Sequence, residues 1–143
     1  MLVSQILKAK GDAVFTAPPQ TLVSEAVKTL AAKGIGVVVI TSDETTVVGI
    51  LSERDIVRAL AARGAECLSI KVEDLMTSDP FCASLSDTGE HVLGQMTERR
   101  FRHMPVVQDG KLVGIVTQGD VVKARLDELA MENASMQGML MGH

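Results

Sequence analysis

Aliphatic runs alternate along this chain with segments whose apolar residues return every three or four positions. Leu22, Ala26, Val27 and Leu30 follow the helical spacing and predict a helix over Val23–Lys33. A second helix is predicted over residues 90–100. Apolar runs rich in β-branched residues occupy residues 37–40 and 47–51, then 104–107 and 112–116. Each pair reads as a hairpin, and the lack of strict alternation predicts strands buried on both faces. The first pair turns through residues 41–46. The second turns through Gln108-Asp109-Gly110-Lys111, where Asp-Gly is a strong hairpin signal. A short strand ends near Thr16 and another near Cys82, and further helices open at Ser52 and Thr117. The predicted order is β-α-β-β-α, twice.

The doubling is visible in the residues. Val48-Gly49-Ile50-Leu51-Ser52-Glu53-Arg54-Asp55-Ile56-Val57-Arg58 returns as Val113-Gly114-Ile115-Val116-Thr117-Gln118-Gly119-Asp120-Val121-Val122-Lys123, an offset of 65 (113 − 48). Upstream, Thr16-Ala17 matches Cys82-Ala83, and the run from Ile35 matches the run from Phe101, at an offset of 66 (82 − 16). One extra residue therefore lies in the first copy, most simply in the 41–46 turn. The expected division is residues 1–72 with a lead-in helix, residues 73–130, and residues 131–143 as a helix extension or disordered tail. A copy this small buries little surface alone. Two copies packed with pseudo-twofold symmetry hide both sheets and leave a cleft between them, an α/β (α+β) architecture.

The repeated stretch carries the candidate chemistry. Gly49-Ile50-Leu51-Ser52-Glu53-Arg54-Asp55 and Gly114-Ile115-Val116-Thr117-Gln118-Gly119-Asp120 both run from a strand into a helix. A hydroxyl and free N–H groups at a helix N-terminus favour phosphate. A carboxylate one turn on can accept both ribose hydroxyls. The same pattern is close to a capping box, and the two readings are compatible, since Ser can cap while Asp faces a cleft. Arg99, Arg100, Arg102 and His103 form a basic cluster. Arg99 and Arg100 suit a helix end, but Arg102 and His103 stand where a strand begins, and their counterparts are Gly36 and Val37. Arg54, opposite Gly119, is another phosphate candidate. The two sites are thus expected to be unequal.

Composition narrows the field. Only 2% of residues are aromatic while 46% are hydrophobic, so the core is aliphatic and any aromatic wall is local. A net charge of −4 argues against a general nucleic-acid or anionic-membrane binder, so an anionic ligand needs a local basic cluster. No apolar run approaches a membrane span, and the first eight residues lack the order of a signal peptide. Cys67 and Cys82 are too few for a disulfide framework and read as small packing residues, so a cytoplasmic location is expected. His91, His103 and His143 show no metal-ligand spacing, and Gly34-Ile35-Gly36 reverses the order of a dinucleotide fingerprint. Motifs of catalytic elbows, zinc proteases and phosphate-binding loops are missing.

These motifs, doubled in register and with Arg102-His103-Met104-Pro105-Val106-Val107 ahead of the second helix, resemble a CBS-domain pair (a Bateman module) of the bacterial stand-alone kind. The resemblance spans about residues 3–125. It implies binding of AMP, ADP, ATP, NAD or S-adenosylmethionine in two related clefts, without catalysis; AMP or NAD is favoured, with ADP and ATP as further candidates. In one cleft it implies Asp120 on ribose and Thr117 on phosphate, with the base near Thr16, Ala17, Ile35, Val37 and Ile115, and Arg102 or His103 close by. In the other it implies Asp55 on ribose and Ser52 on phosphate, with the base near Cys82, Phe101, His103, Met104 and Ile50. Gly36, Arg54 and Pro105 complete the candidate set. Cys82 replaces the hydroxyl residue common in the family. A flat homodimer and a separate regulated protein are implied partners. A sensor module is the leading function; a dimerisation module with vestigial sites and a cryptic nucleotide-processing enzyme are the alternatives.

Overall fold

A computed structural model describes residues 1–140. Its elements are α1 (Val3–Lys10), β1 (Thr16–Ala17), α2 (Val23–Lys33), β2 (Val37–Thr41), β3 (Val47–Ser52), α3 (Glu53–Arg63), β4 (Thr77–Ser78), α4 (Gly89–Arg99), β5 (His103–Gln108), β6 (Lys111–Thr117) and α5 (Gln118–Leu140). Two 3₁₀ turns, Gly64–Ser69 and Val72–Asp74, lie between α3 and β4. The β-α-β-β-α order occurs twice, and α1 precedes it.

Local chemistry explains the boundaries. Gly34 ends α2 in the left-handed conformation (φ 63°), the position where a missing Cβ removes the steric penalty. Arg100 adopts the same conformation after α4, so this helix stops one residue short of the predicted end. Asp109 and Gly110 both have positive φ, as a type I′ hairpin turn requires. In the other hairpin Asp43 holds the turn with its carboxylate, accepting from the N–H groups of Thr45 (3.1 Å) and Thr46 (2.7 Å).

The first sheet has strand order β1-β2-β3-β4, with β1 parallel to β2 and the other pairings antiparallel. The second contains β5 and β6, plus a single parallel bridge between Ala83 and Val106. That bridge repeats the Ala17–Ile40 pairing at an offset of 66 (83 − 17, 106 − 40). Cys82 therefore falls beside a one-residue bridge rather than in a full strand.

Each repeat has its own core, and the two correspond. Ala26, Leu30, Val38, Ile40, Leu51 and Ile56 fill the first; Val92, Met96, Met104, Val106, Val116 and Val121 fill the second. Val37, Val39 and Ile115 form a third cluster where the two sheets meet, against Ile50 and Leu112. Every residue of β2 is buried, as its unbroken apolar run predicts.

The segment that precedes each repeat packs on the other one. Val3, Ile6 and Leu7 of α1 lie in the core of the second repeat, whereas Val72 lies in the core of the first. The contacts are parallel. Val3 N–H donates to Asp87 O (2.9 Å) and Val72 N–H to Thr21 O (2.7 Å). Gly89 N–H donates to Met1 O (3.1 Å) and Val23 N–H to Ile70 O (2.9 Å). This exchange explains the paired glycines of the repeated motif. A Cβ at Gly114 would stand 3.0 Å from Leu7 Cδ1, and one at Gly49 would stand 2.8 Å from Met76 Cγ.

Candidate functional site

The exchange also brings the start of α3 against the second repeat. A cavity of about 480 Å³ opens there, within the range of small-molecule sites. Gly36, Val37, Ile50, Ser52, Arg54 and Asp55 line it from the first repeat, and Phe101, Arg102 and His103 from the second. Nine of the binding candidates named from the sequence thus meet at one place.

Ser52 and Asp55 hold each other in place. The Ser52 Oγ accepts from the Asp55 N–H (3.2 Å), and the Asp55 carboxylate accepts from the Ser52 N–H (2.9 Å). This is a capping box, and it presents the N-terminus of an 11-residue helix to the cavity. Thr117 and Asp120 repeat it at 3.0 and 2.9 Å. Parallel backbone bonds tie each helix start to the strand before the hairpin: Glu53 N–H to Gly36 O (2.9 Å) and Gln118 N–H to Arg102 O (2.8 Å).

The cavity is strongly basic. Arg54, Arg58, Arg99, Arg100 and Arg102 all line it. Among the described residues the ion pairs involve the N-terminal amine, Lys10, Arg63 and Arg125, and none of these five guanidiniums. Glu53, Asp55 and Asp79 are the acids around the same space. Two of the three phenylalanines also gather here. The Phe81 and Phe101 rings stack at 5.9 Å with a 5° interplanar angle, and the Arg99 guanidinium sits 4.0 Å from the Phe81 centroid. The result is a flat apolar wall beside a cluster of cations.

His103 occupies the boundary between the halves. Burial holds its pKa below the ordinary histidine value of 6.5; Glu53 and Asp120 oppose that shift, and Arg102 and Lys10 add to it. Gly36 leaves room on the facing side, since a Cβ there would already reach 3.4 Å from Glu53 Oε1 and 3.5 Å from His103 Nε2.

The remaining candidates are placed differently. Met104, Pro105 and Ile115 are buried in the sheets. Ala17 and Ile35 pack on the first core, and Thr16 is exposed. Cys67 is buried, but Cys82 is exposed and bonds to Pro80 O (3.4 Å); partial desolvation of its sulfur raises its pKa. Around the second capping box the Lys10 ammonium donates to Asp120 (2.5 Å) and to Ile115 O (2.8 Å). Burial works to raise the Asp120 pKa, but the Lys10 and Thr117 hydrogen bonds outweigh it and the net shift is downward.

Several cavity residues escaped the sequence reading: Arg58, Phe81, and residues 77–80. Arg58 stands one helical turn after Arg54, a spacing that placed both on one face in advance. Residues 77–81 gave no such signal, because they reach the cavity only through the pairing of β4 with β3. Arg99 and Arg100 read as a solvated helix end; both are exposed there, and both also line this space.

Comparison with known proteins supplies the context. The sequence profile of the CBS domain matches residues 5–62 and 72–127. The fold superposes on the CBS-domain containing protein ATU1752 from Agrobacterium tumefaciens with a TM-score of 0.83 and 42% identity, covering 87% of this chain and 99% of that one. It superposes on the CBS domain protein PAE2072 from Pyrobaculum aerophilum, solved in complex with AMP, with a TM-score of 0.78 and 29% identity over 92% and 99% of the two chains. The CBS domain pair of protein MJ0100, in complex with 5-methylthioadenosine and S-adenosyl-L-methionine, gives 0.78 and 29% over 90% and 98%.

Proposed function

Because this chain belongs to the CBS-domain family, we propose that it is a regulatory module that binds an adenine nucleotide in the cavity at the start of α3 and signals occupancy to a separate protein. The observation that carries this reading is the composite cavity. A helix N-terminus, the Asp55 carboxylate, five guanidiniums and a stacked phenylalanine pair converge on it from both repeats. Each has a role in holding a nucleotide. The helix start and the arginines attract phosphate, Asp55 accepts from the ribose hydroxyls, and the Phe81–Phe101 wall flanks the base.

The charge of the cavity bears on which ligand fits. AMP in PAE2072 and the sulfonium cation S-adenosyl-L-methionine in MJ0100 share an adenosine but differ in charge. Five arginines around one space favour the anions. More than one phosphate matches them best, so ADP, ATP and NAD rank above AMP and well above S-adenosylmethionine. No reacting group is assigned. Turnover of nucleotide by chromatographically clean protein would favour an enzyme instead.

Exposed apolar residues support assembly as a homodimer. Val57 and Leu60 on α3, and Val122, Leu126 and Leu129 on α5, lie open to solvent, with Val57 and Val122 equivalent in the repeat (122 − 57 = 65). The same face serves a purely structural dimerisation module, so binding separates the two readings. Calorimetry is expected to show wild type binding ATP or NAD and Asp55→Ala losing at least about tenfold in affinity, the effect of removing a charge-assisted hydrogen-bond partner. Wild type that binds neither nucleotide returns the structural reading.

A further inference from the structure

The two repeats end differently. Their last helices start at equivalent residues, Glu53 and Gln118 (118 − 53 = 65), yet α3 has 11 residues and α5 has 23. Gly64 closes α3 at a positive φ of 68°. Leu129 stands at the equivalent place (129 − 64 = 65), and there α5 runs on. Residues 129–140 thus have no counterpart in the first repeat, and they lie beyond the CBS profile, which ends at residue 127. All of them are exposed except Gly138, which is half-buried. A helix of this length with nothing packed on it is marginal in water.

The residues that prolong α5 keep a seven-residue pattern. Val122, Leu126, Leu129, Asn133, Met136 and Leu140 follow one another at spacings of four, three, four, three and four. Those are the spacings of a coiled-coil seam, with Leu126, Asn133 and Leu140 at a positions and Val122, Leu129 and Met136 at d positions. All six are exposed, Met136 at 62% and Leu140 at 85%. The helix meets its own chain through Val121 and Ala124 instead, which pack on the second core. We infer that residues 122–140 pair with the same helix of a second copy as a parallel two-stranded coiled coil. This deepens the homodimer reading above, because Val122, Leu126 and Leu129 belong to both faces. Asn133 selects the occupant and the direction. In a parallel pair of identical helices each a residue meets its own copy, so the two Asn133 amides bond to each other. In an antiparallel pair a faces d, and Asn133 would be buried against an apolar side chain. The flanking positions agree. Across the parallel seam Arg125 is set opposite Ala130, and Glu132 opposite Gln137, so no like charges meet. The twofold axis then runs along α5 and brings the second repeat of one copy to the second repeat of the other.

The test is self-association of the full chain, measured by sedimentation equilibrium over a range of concentrations. Wild type is expected to be a dimer. Leu129→Glu and Met136→Glu are each expected to raise its dissociation constant at least about tenfold, since the paired seam would bury an unpartnered charge. Met131→Glu lies on the side of the helix opposite the seam and is expected to change it by no more than about twofold. All three side chains are exposed in the single chain, so the fold has room for the charge, and hydrogen exchange in β5 and β6 reports whether it is kept. Direction is read by cross-linking in a Cys82→Ser background. Asn133→Cys is expected to form an interchain disulfide under mild oxidation faster than Met131→Cys, because the parallel register alone sets residue 133 against its own copy. A wild-type dimer that Leu129→Glu and Met136→Glu leave as tight as before overturns this inference alone, and the homodimer then rests on α3. Cross-linking at Asn133→Cys no faster than at Met131→Cys overturns the parallel register. A monomeric wild type overturns the homodimer reading, and this inference with it.

Discussion

Single residues in this protein carry both structural and chemical duties. Ser52 caps α3 while its neighbours face the cavity, and Asp55 closes the same cap from the other side. A variant of either residue therefore loses stability as well as binding, with a cap alone contributing about 1 kcal/mol. His103 is a cleaner probe. Its folded pKa lies below the ordinary 6.5, so the unfolded chain takes up the proton first as pH falls. Stability from neutral His103 is full above 6.5 and declines as pH drops from there toward the depressed value. Urea denaturation is expected to show wild type weakening between about pH 7 and 5, with the slope flattened in His103→Gln. Equal slopes contradict the assigned burial. The Asp120 pair acts in a separate window, since a lowered carboxylate contributes above its ordinary 3.8 and fails only in stronger acid.

At the scale of elements, close approach decides composition. The sequence shows Gly49 and Gly114 only as matched positions of the repeated motif. The structure gives them a packing role, because Leu7 and Met76 lie where side chains would stand. Gly114→Val is expected to cost about 1–3 kcal/mol by overpacking, measured as a lower urea midpoint with unchanged m-value. Truncating Leu7 to Ala in that background should recover part of the loss; an additive result contradicts the contact. The final helix shows another consequence of environment. It continues through Met131 and Met136 to Leu140 with exposed methionines along its length, while residues 141–143, His143 included, lie outside the described region.

For the whole molecule, the exchange of leading segments means that neither repeat is complete by itself. Val3, Ile6 and Leu7 belong to the second core though they precede the first repeat. Each is worth about 1.5–3 kcal/mol of burial. Deleting residues 1–10 is therefore expected to strip hydrogen-exchange protection from β5 and β6 before β2 and β3, although the deletion lies next to the first repeat in sequence. Loss centred on the first sheet would contradict the exchange. The same arrangement closes the cavity, because β4 carries residues 77–81 from the linker onto the first sheet, opposite the start of β5.

Much of this was legible in the chain itself. Helical and strand periodicities, the 65- and 66-residue offsets and the two capping motifs are local patterns, and local patterns follow from backbone sterics and the burial of apolar faces. Ser52, Asp55, Arg102 and His103 were candidates for the same reason. Tertiary packing decided the rest. The sequence does not say that α1 crosses to the second core, that Arg99 and Arg100 line a cavity, or that Lys10 reaches Asp120 across 110 positions. Those facts depend on which surfaces meet, and many alternative pairings satisfy the same pattern of apolar residues. Arg102 and His103 were visible as an asymmetry between the repeats; the lysine beside Asp120 becomes visible only once the fold brings its charge to that carboxylate.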